Sequence, residues 1–134
     1  MPSIDVIEGI GPKYATKLRK AKVRTTEALL KRGGTRKGRK DLAIAAGFSE
    51  HQILEWVNRA DLMRVKGVGE EYSDLLEASG VDTVKELRNR KPANLLKKMV
   101  EVNAKKRLVR RLPTETMVER WVAHAGKLPP AVKY

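Results

Sequence analysis

A chain of 134 residues, 41% hydrophobic but only 4% aromatic, is long enough to bury a core of aliphatic side chains, and no apolar run approaches the ~20 residues of a membrane span. The absence of cysteine excludes disulfides, thiolate nucleophiles and cysteine-based zinc sites. The formal net charge of +13 attracts polyanions, and Met1-Pro2-Ser3-Ile4-Asp5 lacks the basic and apolar stretches of a signal peptide, so a cytoplasmic setting is expected.

Ile4 and Ile7 precede Gly9-Ile10-Gly11, and Pro12 follows at what would be a first helical position, where its missing N–H costs nothing. Ala15 and Leu18 fall on that helix. From Pro12 to Arg24 the chain carries Lys13, Lys17, Arg19, Lys20, Lys22 and Arg24, and no acid. Thr25 and Thr26 are placed to cap a helix carrying Ala28, Leu29 and Leu30. Lys31 to Lys40 sets six basic residues around Gly33, Gly34 and Gly38, which predicts a flexible basic loop. A nucleotide-binding P-loop does not fit there: Arg39-Lys40 stands where Lys-Ser/Thr is required, and no strand precedes it. Leu42-Ala43, Gly47 and Ile53 have helix-turn-helix spacing. The second helix of that pair offers no base before Arg59, so it reads as packing rather than base recognition. Ser49-Glu50-His51-Gln52 is a capping box, after which Ile53, Trp56, Val57 and Ala60 recur at helical spacing.

The scheme then repeats. Gly9-Ile10-Gly11, Tyr14, Leu18, Val23, Thr25 and Leu29 recur 58 residues later as Gly67-Val68-Gly69, Tyr72, Leu76, Val81, Thr83 and Leu87. Trp56, Val57 and Ala60 recur 65 residues later as Trp121, Val122 and Ala125. Gly80 is placed to end a helix, Thr83-Val84-Lys85-Glu86 is another capping box, Lys91-Pro92 breaks the chain, and Pro113-Thr114 opens the last helix. Lys106 with Arg110, and Arg107 with Arg111, would share helical faces above inward-turned Leu108 and Leu112. Both tryptophans read as core. His51 and His124 have no partner at metal-ligand spacing, and no nucleophile–base or paired-carboxylate arrangement emerges, so neither a metal, a cofactor nor an enzymatic reaction is expected. With no alternating strand pattern, the expected fold is all-α: two tandem pseudo-repeats, residues 1–62 and 63–134, packed as a compact helical unit.

Ile7-Glu8-Gly9-Ile10-Gly11, Thr25 with Leu29-Leu30, Gly38-Arg39, Leu42-Ala43, Trp56-Val57, Asp61-Leu62, Val65-Lys66-Gly67-Val68-Gly69 and Trp121-Val122 with Ala125 together resemble a bacterial family of tandem helix-hairpin-helix proteins known as a domain of unknown function. The resemblance spans nearly the whole chain and implies a helical fold without an assigned activity. In better-known helix-hairpin-helix domains the Gly-x-Gly turn meets DNA phosphates, since the first N–H groups of a helix are unpaired and its dipole favours an anion. Carried over, Gly9, Ile10 and Gly11 would form the seat with Lys13 as a neighbouring charge; by their charge alone, Lys17 and the run with Arg36, Lys37, Arg39 and Lys40 would follow the phosphate backbone beside it. Gly67, Val68 and Gly69 would form a structural counterpart, since Glu70 and Glu71 there repel phosphate. The expected function is backbone-directed, sequence-independent nucleic-acid binding, with DNA as the partner and RNA as an alternative. The competing expectation is a protein-interaction or self-assembly module joining the basic stretch 12–24 to the acidic stretch 70–82.

Overall fold

The computed structural model describes residues 2–7 and 9–134, which contain eight α-helices and no strand beyond an isolated antiparallel bridge between Ser3 and Thr25. None of these helices is long and apolar enough to cross a membrane. Two compact units form, one from Met1–Asp61 with Ala131–Tyr134, the other from Leu62–Pro130.

In the first unit a 3-10 turn at Ile4–Val6 leads into α1 (Pro12–Lys20), α2 (Thr26–Gly33), α3 (Arg36–Ala46) and α4 (Glu50–Leu62). Each start has a local cause. Pro12 occupies the first turn of α1; the Thr25 hydroxyl accepts from the Ala28 N–H at 3.0 Å, Thr35 from Gly38 at 3.0 Å and Ser49 from Gln52 at 3.1 Å. Gly47, in the left-handed region at φ +78°, ends α3. Ile4, Ile7, Ile10, Leu18, Leu29, Leu42, Ile53, Trp56 and Val57 are buried. Tyr14, Phe48 and Trp56 form an aromatic cluster with ring centroids 4.9–5.9 Å apart.

The flexible loop expected over Lys31–Lys40 is instead the end of α2, a two-residue turn and the start of α3. The glycines serve close approach rather than mobility. A Cβ at Gly33 would stand 2.5 Å from Val57 Cγ2, and one at Gly38 would collide with the Arg32 carbonyl. The tail ties to the same turn through the Lys133 N–H, which donates to the Gly34 carbonyl at 2.7 Å, and to α4 through the Tyr134 hydroxyl, which donates to Asn58 Oδ1 at 3.1 Å.

The second unit contains α5 (Glu70–Ala78), the short α6 (Val84–Leu87), α7 (Pro92–Lys106) and α8 (Glu115–Ala125) around a core that includes Leu62, Val65, Leu75, Leu76, Leu87, Leu95, Met99, Val118 and Trp121. Lys106 and Arg110 do not share a helical face, because α7 stops at Lys106 and Arg107 turns left-handed at φ 49°. The Asn103 side chain accepts from the Val109 N–H at 3.0 Å and donates to its carbonyl at 3.2 Å. Val109 is buried, while Leu108 is half-buried and Leu112 exposed, so Val109 takes the inward place expected of its neighbours.

Candidate nucleic-acid interface

The two glycine turns, 58 residues apart, have the same backbone. Gly9 and Gly67 sit at φ +90° and +91°, where a side chain is strained. The Ile10 N–H donates to the Ile7 carbonyl at 3.1 Å, and Val68 to Val65 at 3.0 Å. Gly11 and Gly69 are the extended N-cap residues of α1 and α5. The Ala15 N–H returns to the Gly11 carbonyl and that of Ser73 to the Gly69 carbonyl, both at 2.9 Å. A tryptophan backs each turn: a Cβ added at Gly9 would lie 3.4 Å from Trp56 Nε1, and one at Gly67 would lie 3.1 Å from Trp121 Nε1.

The first turn is open on its outer side. Gly9, Gly11, Pro12 and Lys13 are exposed, and nothing lies within 4 Å of a Cβ built on Gly11. Ile10 is its buried anchor. Among the described residues no side chain accepts from the Lys13 or Tyr14 N–H groups, the donors that open α1 once Pro12 has none.

Charge separates the two copies. On α1, Lys13, Lys17 and Lys20 are exposed and make no ion pair among the described residues; the Lys17 ammonium stands 5.4 Å over the Phe48 ring. Arg19 is partly occupied, 3.8 Å from Asp5 and 3.2 Å from Ser3 Oγ. On α5, Glu71 and Glu77 stand at the places of Lys13 and Arg19, Leu75 and Ala78 at those of Lys17 and Lys20, and Glu70 and Asp74 add further acid.

The basic residues of α3 divide. Arg36, Lys37 and Lys40 are exposed on an element that packs against α1. Arg39 is 5% exposed and turned inward, donating to the carbonyls of Gly33 at 3.0 Å, Gly34 at 3.3 Å and Lys133 at 2.7 Å, with the Tyr134 ring 6.0 Å away. Burial, then neighbouring Arg36, lowers its pKa, against the raising influence of Tyr134 and Glu50. Its guanidinium holds the tail to the α2–α3 turn and is not presented to solvent. Conversely, Arg59, which in sequence is only the first base of a packing helix, has its Nη1 4.0 Å from the Cβ position of Gly9. Its helical spacing from Trp56, one turn earlier, is the signal that would have found it.

Comparison with curated proteins and with solved structures returns no match. The family model for a domain of unknown function (DUF4332) matches residues 8–128. The chain, matched over all but its ends, therefore belongs to that family.

Proposed function

We propose that this chain is a tandem helix-hairpin-helix protein that binds nucleic-acid backbone without sequence preference, as a binding module rather than an enzyme. The supporting observation is the combination of uncapped N–H groups at the start of α1 with the exposed Lys13 and Lys17 on the same helix, which make no ion pair among the described residues. An oxyanion at that position meets oriented donors, the positive end of the helix dipole and mobile cations together. Lys37 and Lys40, on neighbouring α3, extend the charge for further phosphates. Contacts to phosphate carry no base identity, so sequence preference is not expected.

Fluorescence anisotropy with short labelled duplex DNA, single strands and RNA tests this reading. Lys13, Lys17, Lys37 and Lys40 changed together to Glu should weaken binding by about two orders of magnitude or more. Arg39 stays intact in that variant because its loss would disturb the fold. Unchanged affinity would overturn the assignment. A second reading is favoured by the exposed acids Glu70 and Glu71 at the start of α5: the acidic helix of one copy meets the basic α1 of another. A monomeric mass at every salt and protein concentration in light scattering would sink it.

A further inference from the structure

The second unit contains a pocket that backbone binding leaves unused. Its volume is about 490 Å³, and its lining is Lys66, Gly67, Met117, Arg120, Trp121 and His124. That size falls among small-molecule sites. Gly67 keeps one wall low, since any Cβ there would press on the Trp121 indole. On α8, Met117 and Trp121 lie one turn apart, as do Arg120 and His124, so the helix brings an apolar pair and a polar pair to the same opening. Lys66 and Arg120 are exposed and make no ion pair among the described residues, and no acid lines the pocket. His124 Nδ1 accepts from the Lys66 N–H at 3.0 Å, so in the neutral ring Nε2 carries the proton and is a donor.

The first copy gives a comparison within the same chain. The offsets that relate Gly9 to Gly67 and Trp56 to Trp121 relate Glu8 to Lys66 and Glu55 to Arg120. Glycine and tryptophan, which the turn needs for packing, are the same in both copies. The residues at the other two positions have opposite sign. Packing does not require that reversal, because both basic side chains are exposed. It puts two cations beside the Trp121 pocket where the corresponding positions of the first copy carry acids.

We propose that this pocket binds a small organic phosphate monoester with a compact apolar body. The monoester carries nearly two negative charges, matched by Lys66 and Arg120, and the His124 N–H offers a further bond to an oxygen. Half-buried Met117 supplies apolar surface for the body, with the edge of the otherwise buried Trp121 indole beside it. A polymer phosphodiester has one charge and continues on both sides, which suits the open turn of the first unit rather than a concavity.

The test is a titration of the intact nitrogen-15-labelled chain with phenyl phosphate, reading the two indole N–H signals by NMR. The expected result is a saturable shift of the Trp121 indole with the Trp56 indole unmoved. Binding should be at least about tenfold tighter than that of inorganic phosphate, benzoate or phenol. K66E and R120E, which install the residues of the first copy, should each weaken it about tenfold, and K66Q and R120Q should act in the same direction. The proposal is overturned by no saturable Trp121 shift up to the order of 10 mM. Equal movement of Trp56, equal affinity for any comparison compound, or unchanged binding in the charge variants would overturn it too.

Discussion

A buried guanidinium is stable only where its N–H groups find acceptors, and Arg39 finds three backbone carbonyls from two distant stretches of chain. Arg39→Met should therefore cost about 2–4 kcal/mol in urea denaturation, since the three carbonyls lose their donor. Arg39→Lys should not restore it, because a point charge does not reproduce the planar fork. A loss below about 1 kcal/mol would mean that the tail contact contributes little. The glycines supply a second comparison. Gly9→Ala and Gly67→Ala place a Cβ at positive φ beside an indole and should each cost about 1–3 kcal/mol, Gly67 the more because its contact is closer. Gly11→Ala, with open space around it, should be nearly neutral. Equal costs at all three positions would contradict that geometry. The Gly-x-Gly spacing made the turns legible in sequence, but a run of six basic residues does not say which turns inward. Arg39 does so because of a tail 94 residues away in the chain.

Helix starts were legible because their causes are local. Thr25, Ser49, Thr83 and Thr114 each lie three residues before the N–H they accept from. The end of α7 was not, since helix-forming residues run on past Lys106 without glycine or proline and the stop comes from Asn103 bonding around Val109. Arg107 there adopts a left-handed conformation that glycine takes without strain, so Arg107→Gly should raise stability by about 0.5–1 kcal/mol in urea melts. At the start of α6 the Glu86 carboxylate accepts from the Asp82 N–H at 3.3 Å. Asp82 has its pKa raised above 3.8, first by burial and then by Glu77. A raised carboxyl pKa means that the folded state opposes ionisation. Above the folded pKa Asp82 therefore lowers stability, and this penalty disappears as pH falls to the ordinary carboxylate value. Asp82→Asn should melt higher than the parent at neutral pH, with the two converging below about pH 4. Parallel melting curves across that range would remove the burial argument for Asp82.

At the scale of the whole molecule, a net charge of +13 binds polyanions to some degree wherever they touch, so affinity alone does not identify a site. The salt dependence of point variants does. Each phosphate engaged releases counterions, and log affinity falls with log salt by about 0.9 per phosphate on duplex DNA. If α1 is the seat, Lys13→Gln and Lys17→Gln should each lower the slope by about one, while Lys105→Gln and Lys106→Gln, of the same charge change at the end of α7, should leave it nearly as it was. Every one of these lysines is exposed, so none of the changes disturbs the core. The contrast between a basic α1 and an acidic α5 was already readable in the sequence, and it locates the candidate at one of two glycine turns with matching backbones. Equal loss of slope at α1 and α7 would leave attraction by overall charge as the better account, because the slope would then follow the number of cations and not their position.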